Sequence, residues 1–300
     1  MTTVTLTKAA DLARTPFLPV PDRVAFTIPE WFPLIGGIDI MWYGIMLTLG
    51  IVAAFLVVYK KAPSRLIDPE KVLDYALWVV PFGVIGARLY YVIFEWQNYK
   101  DDLASIFDIR AGGLAIHGAL IGGFTVGIIC LVKWKQKVLD WVDLTIMGVT
   151  IGQAIGRWGN YFNSEAHGTA TDLPWAIYCD GEFVHPTFLY ESIWCFLLFI
   201  FLLWFDKKKA RYRGQIICLY AIIYSIERFF VEGLRTDSLW VGPIRQAQLI
   251  SIVLIVCGII GLILIGKNKE KLLIKRPDGC GYAGYDKIDV PASEGPEEKA

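Results

Sequence analysis

Charged side chains interrupt several long apolar stretches of this sequence. Arg88, His117, Arg157, Arg228 and Glu232 all lie within such stretches or at their edges. A charge inside an apolar segment is costly, so it is usually paired, functional, or both. Guanidinium groups present several fixed donors to an anion, and histidine exchanges a proton near neutral pH. These residue types point to chemistry on an anionic, phosphate-bearing substrate.

The spacing of three of these polar residues predicts one helical face. Tyr224, Arg228 and Glu232 recur at every fourth position, which places them on the same side of a helix. They could therefore line one cavity together. The alternative is that Arg228 and Glu232 only neutralise each other as an ion pair one turn apart.

A second polar segment follows an apolar run at residues 156–168, which read G-R-W-G-N-Y-F-N-S-E-A-H-G. Its glycines allow close backbone approach, and Arg157 and Asn160 offer donors to an anion. We expect Arg157 to close a helix here, at the membrane interface, in a setting suited to a lipid phosphate. The alternative is an ordinary helix cap with a solvated loop.

Two further residues leave alternatives open. His117 stands among small residues in the run from Gly112 to Gly123, which predicts helices packed tightly around it. A lone buried histidine is often only a hydrogen-bonded core residue, so this run alone does not decide its role. For Arg88, a side chain reaching towards the membrane surface explains the position as well as a function does.

The composition excludes several classes of protein. With 300 residues, 55% hydrophobic content and a mean hydropathy of +0.48, the chain is too apolar for one soluble domain. The net charge is +0, which gives no indication of nucleic-acid binding. The six cysteines form no C-x-x-C pair, and the proline-bearing first thirty residues predict no cleavable signal peptide.

Seven apolar stretches are each long enough to cross a membrane. They lie near 40–58, 72–94, 113–132, 140–158, 188–205, 214–234 and 246–266. The sequence therefore predicts an all-α integral membrane protein with seven transmembrane helices and small external caps at 95–111 and 158–187. No internal repeat of the kind found in many transporters stands out.

The segments between the stretches alternate in their content of lysine and arginine. Basic clusters occur at 60–71, 133–137, 207–213 and 267–276, and the other segments carry few such residues. Because basic loops face the cytoplasm, we expect the N-terminus outside and the C-terminus inside. The predicted units are an external segment at 1–39, a catalytic domain at 40–266 and a partly disordered cytoplasmic tail at 267–300.

Taken together, these motifs resemble the prolipoprotein diacylglyceryl transferase family. The likeness includes Trp42-Tyr43-Gly44, the glycine-rich run around His117, and the G-R-x-G-N-[FY]-x-N-x-E signature from Gly156 to Glu165, followed by Gly168. It continues from His185-Pro186 through Tyr190-Glu191 to Tyr224, Arg228, Glu232 and Arg235. The motifs cover roughly residues 40–250 in the family's order, which is more specific than any single short motif.

The resemblance implies a bacterial cell-membrane enzyme that starts lipoprotein maturation. Its substrates would be phosphatidylglycerol and the lipobox cysteine in the signal peptide of a prolipoprotein, joined as a thioether with release of glycerol phosphate. The active site would lie towards the extracytoplasmic side, with His117, Arg157, Arg228 and Tyr224 as the catalytic residues. The residues expected to bind or position substrate are Tyr43, Asn160, Glu165, Gly168, Glu232 and Arg235.

Within this expectation, His117 would accept the thiol proton, and Glu165 and Glu232 would orient the arginines. No cofactor or metal is expected, since the three histidines have no ligand spacing such as H-E-x-x-H. Three rival functions remain: a transporter for an anionic solute, a non-catalytic scaffold, and an intramembrane hydrolase. The hydrolase would need a serine, metal or aspartate-pair motif, and no G-x-S-x-G run occurs.

Overall fold

Helices dominate the part of the chain described by the computed structural model, residues 15–33, 36–108 and 112–274. In these residues the helices are α1 (Trp42–Lys61), α2 (Pro69–Phe94), α3 (Ile116–Lys133), α4 (Val138–Asn163), α5 (Thr187–Lys208), α6 (Gln215–Leu234), α7 (Gln246–Lys267) and the four-residue α8 (Lys269–Leu272). Short 3-10 helices cover Ala62–Arg65, Trp96–Asn98 and Leu103–Phe107. The last two lie in the predicted cap between α2 and α3.

Six of the long helices, α1 to α5 and α7, are long and apolar enough to cross a membrane. The remaining long helix, α6, has 20 residues but carries Glu227, Arg228 and Glu232. Large apolar side chains on α2, α3 and α7 stay exposed, as expected of helices whose outer faces contact lipid. The chain is therefore a mostly helical, multi-pass membrane protein.

In the part of the chain that the structure describes, three two-stranded antiparallel hairpins precede or connect the helices. They are β1 (Val24–Thr27) with β2 (Asp39–Met41), β3 (Ile177–Cys179) with β4 (Glu182–Val184), and β5 (Trp240–Val241) with β6 (Ile244–Arg245). These hairpins come before α1, between α4 and α5, and between α6 and α7. Val24 is opposite Met41, Ile177 opposite Val184, and Trp240 opposite Arg245.

Small residues allow the helix pairs to pack closely. A methyl group built on Gly86 of α2 would lie 2.5 Å from the carbonyl oxygen of Gly118 on α3. A methyl group on Gly50 of α1 would lie 3.0 Å from the carbonyl oxygen of Gly152 on α4. Such contacts are typical of helices that associate in membranes.

The main apolar core lies at the opposite end of the helices from the hairpins. Trp141, Met147, Leu202 and Ile216 are completely or almost completely buried there. They bring α4, α5 and α6 together, with Val58 of α1 in the same cluster. The helices are therefore tightly packed at this end of the bundle.

The end of α4 differs from the sequence prediction. The predicted stretch ended near residue 158 with Arg157 closing it, but the helix continues to Asn163 and ends at Ser164, whose φ is +53°. The two glycines at 156 and 159 are tolerated because a helical glycine costs only about 1 kcal/mol. Arg157 therefore lies on a continuous helix, and the second cap begins only after Asn163.

The first residues after α7 pack against the protein. The amide of Ile274 donates to the carbonyl of Arg211 at 2.9 Å, and Ile274 is 1% exposed. The predicted disorder of the tail concerns residues beyond 274, which lie outside the described part of the chain.

Candidate active site

A cavity of about 480 Å³ lies beside the β5–β6 hairpin. Its polar wall comes from α3, α4 and α6, and Ile250 and Leu254 of α7 contribute an apolar wall. A volume of this size suits a small-molecule site. Six of the residues selected from the sequence line it: His117, Arg157, Tyr224, Arg228, Glu232 and Arg235. All four predicted catalytic residues therefore share one cavity.

One carboxylate joins two arginines in the polar wall. Oε1 of Glu191 lies 3.1 Å from Nη2 of Arg157 and 2.8 Å from Nη1 of Arg228. The Glu191 side chain is 1% exposed, whereas 20% and 18% of the two arginine side chains remain exposed. Because a guanidinium has five N–H donors, both arginines keep donors for an anion in the cavity.

The predicted polar face of α6 is confirmed. Nη2 of Arg228 lies 2.7 Å from Oε2 of Glu232, one turn later, and Tyr224, one turn earlier, lines the same cavity. Arg228 does pair with Glu232, as the alternative interpretation required. Its second contact, with Glu191 across the α5–α6 interface, shows that it belongs to a larger network than a pair within one helix.

Sequence reasoning did not assign a role to Glu191, which lies in the second turn of α5. The available signal was its place at the end of the motif that begins with His185-Pro186. Glu165 was expected to orient an arginine but instead accepts a hydrogen bond from Asn160 at 2.8 Å. The reason is that Glu165 follows the end of α4, about two turns beyond Arg157.

His117 lies in the first turn of α3, where it lines the cavity. Its ring centroid lies 6.0 Å from that of Tyr90 on α2. A methyl group on the adjacent Gly118 would lie 2.2 Å from the carbonyl oxygen of Gly86. The prediction that small residues pack closely around His117 is therefore confirmed, and this packing fixes the histidine at the wall of the cavity.

Comparison with known proteins identifies the family. A sequence model of the family described as prolipoprotein diacylglyceryl transferase matches residues 29–264. The chain belongs to this family. Three relatives carry the name phosphatidylglycerol–prolipoprotein diacylglyceryl transferase. The chain is 50% identical to the one from Clostridioides difficile, over 83% of this chain and 97% of the relative. It is 49% identical to the one from Finegoldia magna, over 80% of this chain and 94% of the relative. It is 43% identical to the one from Gloeobacter violaceus, over 84% of this chain and 98% of the relative.

Other residues predicted for this transferase do not line the large cavity and lie around the end of α4. Asn160 and Glu165 line a second, much smaller cavity of about 10 Å³, which is about the space of one water molecule. Tyr43, at the start of α1, packs against the α4 backbone, since a methyl group on Gly159 would lie 2.8 Å from its ring. These residues surround the end of α4.

Gly168 holds the segment after α4 against two neighbours. Its amide donates to the carbonyl of His185 at 3.0 Å, and its backbone pairs with Arg235. A methyl group here would lie 2.7 Å from Cβ of His185, so only glycine fits without movement. The prediction that Gly168 shapes the backbone is confirmed, and its effect is to join the cap to the end of α6.

Arg88 has a role that neither alternative from the sequence described. Its side chain is buried and donates to backbone carbonyls at 2.7–3.0 Å. The acceptors are Ser105, Ile106, Asp108, Gly112 and Gly113. Arg88 therefore organises the cap between α2 and α3, and its donors are committed to backbone rather than to a substrate.

Contacts in the loops shift the pKa values of two side chains, Asp237 and His167. Arg235 and Asp237 form a two-pronged pair at 2.9 and 2.7 Å. This hydrogen bonding lowers the pKa of Asp237 despite partial burial. A hydrogen bond with Cys179 is the largest cause that raises the pKa of His167 to about 9; burial opposes it, and contacts with Gly168 and Asp180 add to it. Both groups lie beside the cavities described above.

Among the residues described by the structure, one group combines three types of metal ligand: His167, Cys179 and Asp180. Linear spacing around the histidines does not reveal this group, because His167 follows α4 whereas Cys179 and Asp180 lie at the end of β3. The group is not part of the large cavity.

Proposed function

We propose that the 480 Å³ cavity is the site where this transferase joins its lipid and protein substrates. As a member of its family, the chain transfers the diacylglyceryl group of phosphatidylglycerol to the cysteine thiol of prolipoproteins, the first step of lipoprotein maturation. The observation that carries the assignment of the site is the shared carboxylate of Glu191, which sets two partly exposed arginines side by side in the cavity wall.

Arg157 and Arg228 hold the phosphate of the lipid in this proposal. The reaction breaks the bond between the glycerol carbon and the phosphate oxygen, so negative charge accumulates on the departing glycerol phosphate. Fixed guanidinium donors stabilise such charge most effectively when they are oriented beforehand. Glu191 and Glu232 supply that orientation, and the phenol of Tyr224 on the same face of α6 adds a donor.

His117 accepts the proton of the substrate thiol. A free cysteine thiol has a pKa of about 8.5, so only a minor fraction is thiolate near neutral pH without a base. The thiolate then attacks the glycerol carbon, the carbon–sulfur bond forms, and the phosphate leaves with the electron pair of the broken carbon–oxygen bond. The apolar wall around Ile250 and Leu254 reduces access for water, the competing nucleophile.

The remaining predicted residues position the substrates. Asn160 and Glu165 hydrogen-bond each other at the end of α4, and in this proposal they offer polar atoms to the headgroup. Tyr43 closes the side towards α1, and Gly168 holds the cap against α6 through Arg235. Arg235 lines the cavity itself and, as a cation, suits the anionic lipid.

For the membrane arrangement we propose seven spans, with α6 as the sixth, the N-terminus outside and the C-terminus in the cytoplasm. The charges of α6 are compatible with a span because Arg228 and Glu232 face the cavity and its ion network. The basic clusters between the helices support the orientation. The cavity, at the opposite end, then faces the extracytoplasmic side, where the signal peptide presents its lipobox cysteine.

Thiol labelling with a membrane-impermeant reagent tests this orientation. Ala170→Cys in the second cap should react from outside, and Lys209→Cys after α5 only after the membrane is opened; both wild-type residues are exposed. The background should carry Cys257→Ser, since Cys257 is an exposed native thiol. The reverse labelling pattern would contradict the proposed orientation.

The activity is tested with purified protein, phosphatidylglycerol vesicles and a peptide containing a lipobox cysteine. We expect the peptide to gain the mass of one diacylglyceryl group and glycerol phosphate to appear in equal amount. A matched peptide with serine in place of the cysteine should stay unmodified. Release of glycerol phosphate with an unmodified cysteine peptide would indicate lipid hydrolysis and contradict transfer.

A further inference from the structure

The second cap brings together three side chains that have no part in the proposed transfer. His167 lies in the loop after α4, and Cys179 and Asp180 lie at the end of β3, where the β3–β4 hairpin turns. Their donor atoms, one nitrogen, one sulfur and one oxygen, all lie within 4.8 Å of one another. Cys179 is buried at 6% exposure, and the Asp180 side chain is 75% exposed.

The ring of His167 is held in the orientation that a metal ligand requires. Nδ1 lies 3.1 Å from the carbonyl oxygen of Gly168, which can only accept a hydrogen bond, so Nδ1 carries a proton. Nε2 is then the ring nitrogen that can bind a metal ion, and it lies 3.1 Å from Oδ2 of Asp180. A backbone carbonyl on the second ring nitrogen is the usual support of a metal-binding histidine.

Nε2 of His167 and Oδ2 of Asp180 lie 3.1 Å apart, close enough for one cation to contact both atoms. The thiol of Cys179 faces the same space, and a thiolate there favours a metal ion over a proton.

The set of ligands selects a class of metal. Imidazole, thiolate and carboxylate together suit zinc and similar divalent ions, which bind them at about 2.0–2.3 Å in tetrahedral geometry. Ligand atoms around such an ion are roughly 3.4 Å apart by that geometry, so separations of up to 4.8 Å close with a small movement. Asp180, which is exposed in the hairpin turn, is the ligand that would have to shift.

We propose that His167, Cys179 and Asp180 form a binding site for a zinc-class divalent metal ion, with water as the fourth ligand. The ion would join the loop after α4 to the β3–β4 hairpin. That loop contains Glu165 and Gly168, so the metal would stiffen the cap next to the large cavity. Its role is structural, separate from the chemistry of transfer.

Cobalt(II) provides the direct test, because it takes zinc sites and reports its ligands by absorption. Tag-free, full-length protein in detergent is treated with a chelator, freed of it, and titrated with Co²⁺ at mildly alkaline pH. We expect one cobalt per chain, a thiolate-to-cobalt charge-transfer band and the visible bands of tetrahedral cobalt. Added Zn²⁺ should abolish both sets of bands and raise the melting temperature.

Variants identify the ligands. Cys179→Ser should lose the charge-transfer band, whereas the matched control Cys257→Ser, at an exposed cysteine on α7, should keep it. His167→Gln and Asp180→Asn should keep the thiolate contact but bind cobalt at least about tenfold more weakly. These two variants preserve side-chain size and hydrogen bonding, so they guard against a simple loss of folding in the cysteine variant.

Two results would overturn the proposal. One is wild-type protein without a charge-transfer band at stoichiometric cobalt. The other is a band of equal strength in Cys179→Ser, which would place the metal on another thiol. Both readouts concern metal binding, so they decide this proposal whether or not the purified protein transfers lipid to a peptide.

Discussion

The two ends of the helix bundle both contain clustered charges, but they use them differently. At the basic end, Arg65 lies 3.1 Å from Asp140, 3.7 Å from Asp143 and 2.7 Å from Asp206. No part of the Arg65 side chain is exposed. At the cavity end, Arg157 and Arg228 share Glu191 and keep about a fifth of their surface open. We call the first cluster closed because its central arginine is fully buried, although a smaller cavity of about 160 Å³ lies beside it. The second cluster faces the cavity of about 480 Å³.

Other basic side chains and backbone amides also contact the aspartates of the closed cluster. Lys61 lies 2.5 Å from Asp206, and Nε of Arg213 lies 2.7 Å from Asp140. Asp143 also accepts hydrogen bonds from the amides of Gly214 and Ile217 at the start of α6. The cluster thereby ties the ends of α1, α4, α5 and α6 together. A charge among apolar helices is thus better evidence of function when part of its side chain stays exposed to a cavity, as in Arg157 and Arg228.

The largest effect is expected from breaking the closed cluster. Arg65→Met leaves three buried aspartates with less positive charge, and the loss of one partner from a buried ion pair typically costs about 3–5 kcal/mol. We expect the free energy of unfolding in detergent to fall by that amount while transfer per folded molecule is unchanged. Arg211→Met, at an exposed position of the same end, is the control. Loss of transfer without loss of stability would remove the distinction between the two ends.

Arg228→Lys should have the opposite profile. Lysine keeps the charge but cannot contact Glu191, Glu232 and a phosphate with one planar group. Loss of one oriented donor typically lowers the rate by about 10²–10³-fold, and we expect that decrease in kcat/KM with little change in melting temperature.

The same substitution in the closed cluster, Arg213→Lys, is the matched control for Arg228→Lys. It preserves the charge next to Asp140, and we expect nearly normal transfer. Near-normal transfer by Arg228→Lys itself would exclude Arg228 from binding the phosphate.

His117→Gln tests the proton acceptor in the open region. A positioned general base typically contributes at least about 10²-fold, so we expect kcat to fall by roughly that factor while KM for the lipid changes little. The dependence of the rate on pH should also change. His185→Gln, outside the cavity, should retain the wild-type profile. A His117→Gln enzyme with an unchanged rate and pH profile would assign the base to another group.

The sequence predicted the parts of this comparison that depend on local spacing. The face formed by Tyr224, Arg228 and Glu232 follows from the helical period alone, and the close contact beside His117 follows from its glycine neighbours. The seven apolar stretches match the observed long helices to within a few residues, apart from the end of α4.

Contacts between distant residues could not be predicted in the same way. Arg65 was counted as a cytoplasmic loop charge, but its partners lie 75 and 141 positions further along the chain. In the sequence, Glu191 is an ordinary polar residue near the start of a helix. Its role follows only from its contacts with Arg157 on α4 and Arg228 on α6. His167 lies in the loop after α4 and Cys179 at the end of β3, so no short metal-binding motif contains both.

The smallest effects are expected along the interface of α1 and α4, which connects the two regions. A methyl group on Gly148, at the closed end, would lie 2.7 Å from the backbone oxygen of Ala54, which cannot move independently. A methyl group on Gly159, at the cavity end, would meet only the ring of Tyr43, which can rotate away. We therefore expect Gly148→Ala to lower the free energy of unfolding by about 1–3 kcal/mol.

Gly159→Ala should destabilise the protein less than Gly148→Ala but weaken lipid binding, measured as a higher KM, because Tyr43 no longer closes the side of the cavity. Gly156→Ala is the control for both, since its methyl group would have no neighbour within 4 Å. If Gly159→Ala were as destabilising as Gly148→Ala and left KM unchanged, Tyr43 would be a packing residue like Ala54. The boundary between the closed and open regions would then lie nearer the cavity than the charges indicate.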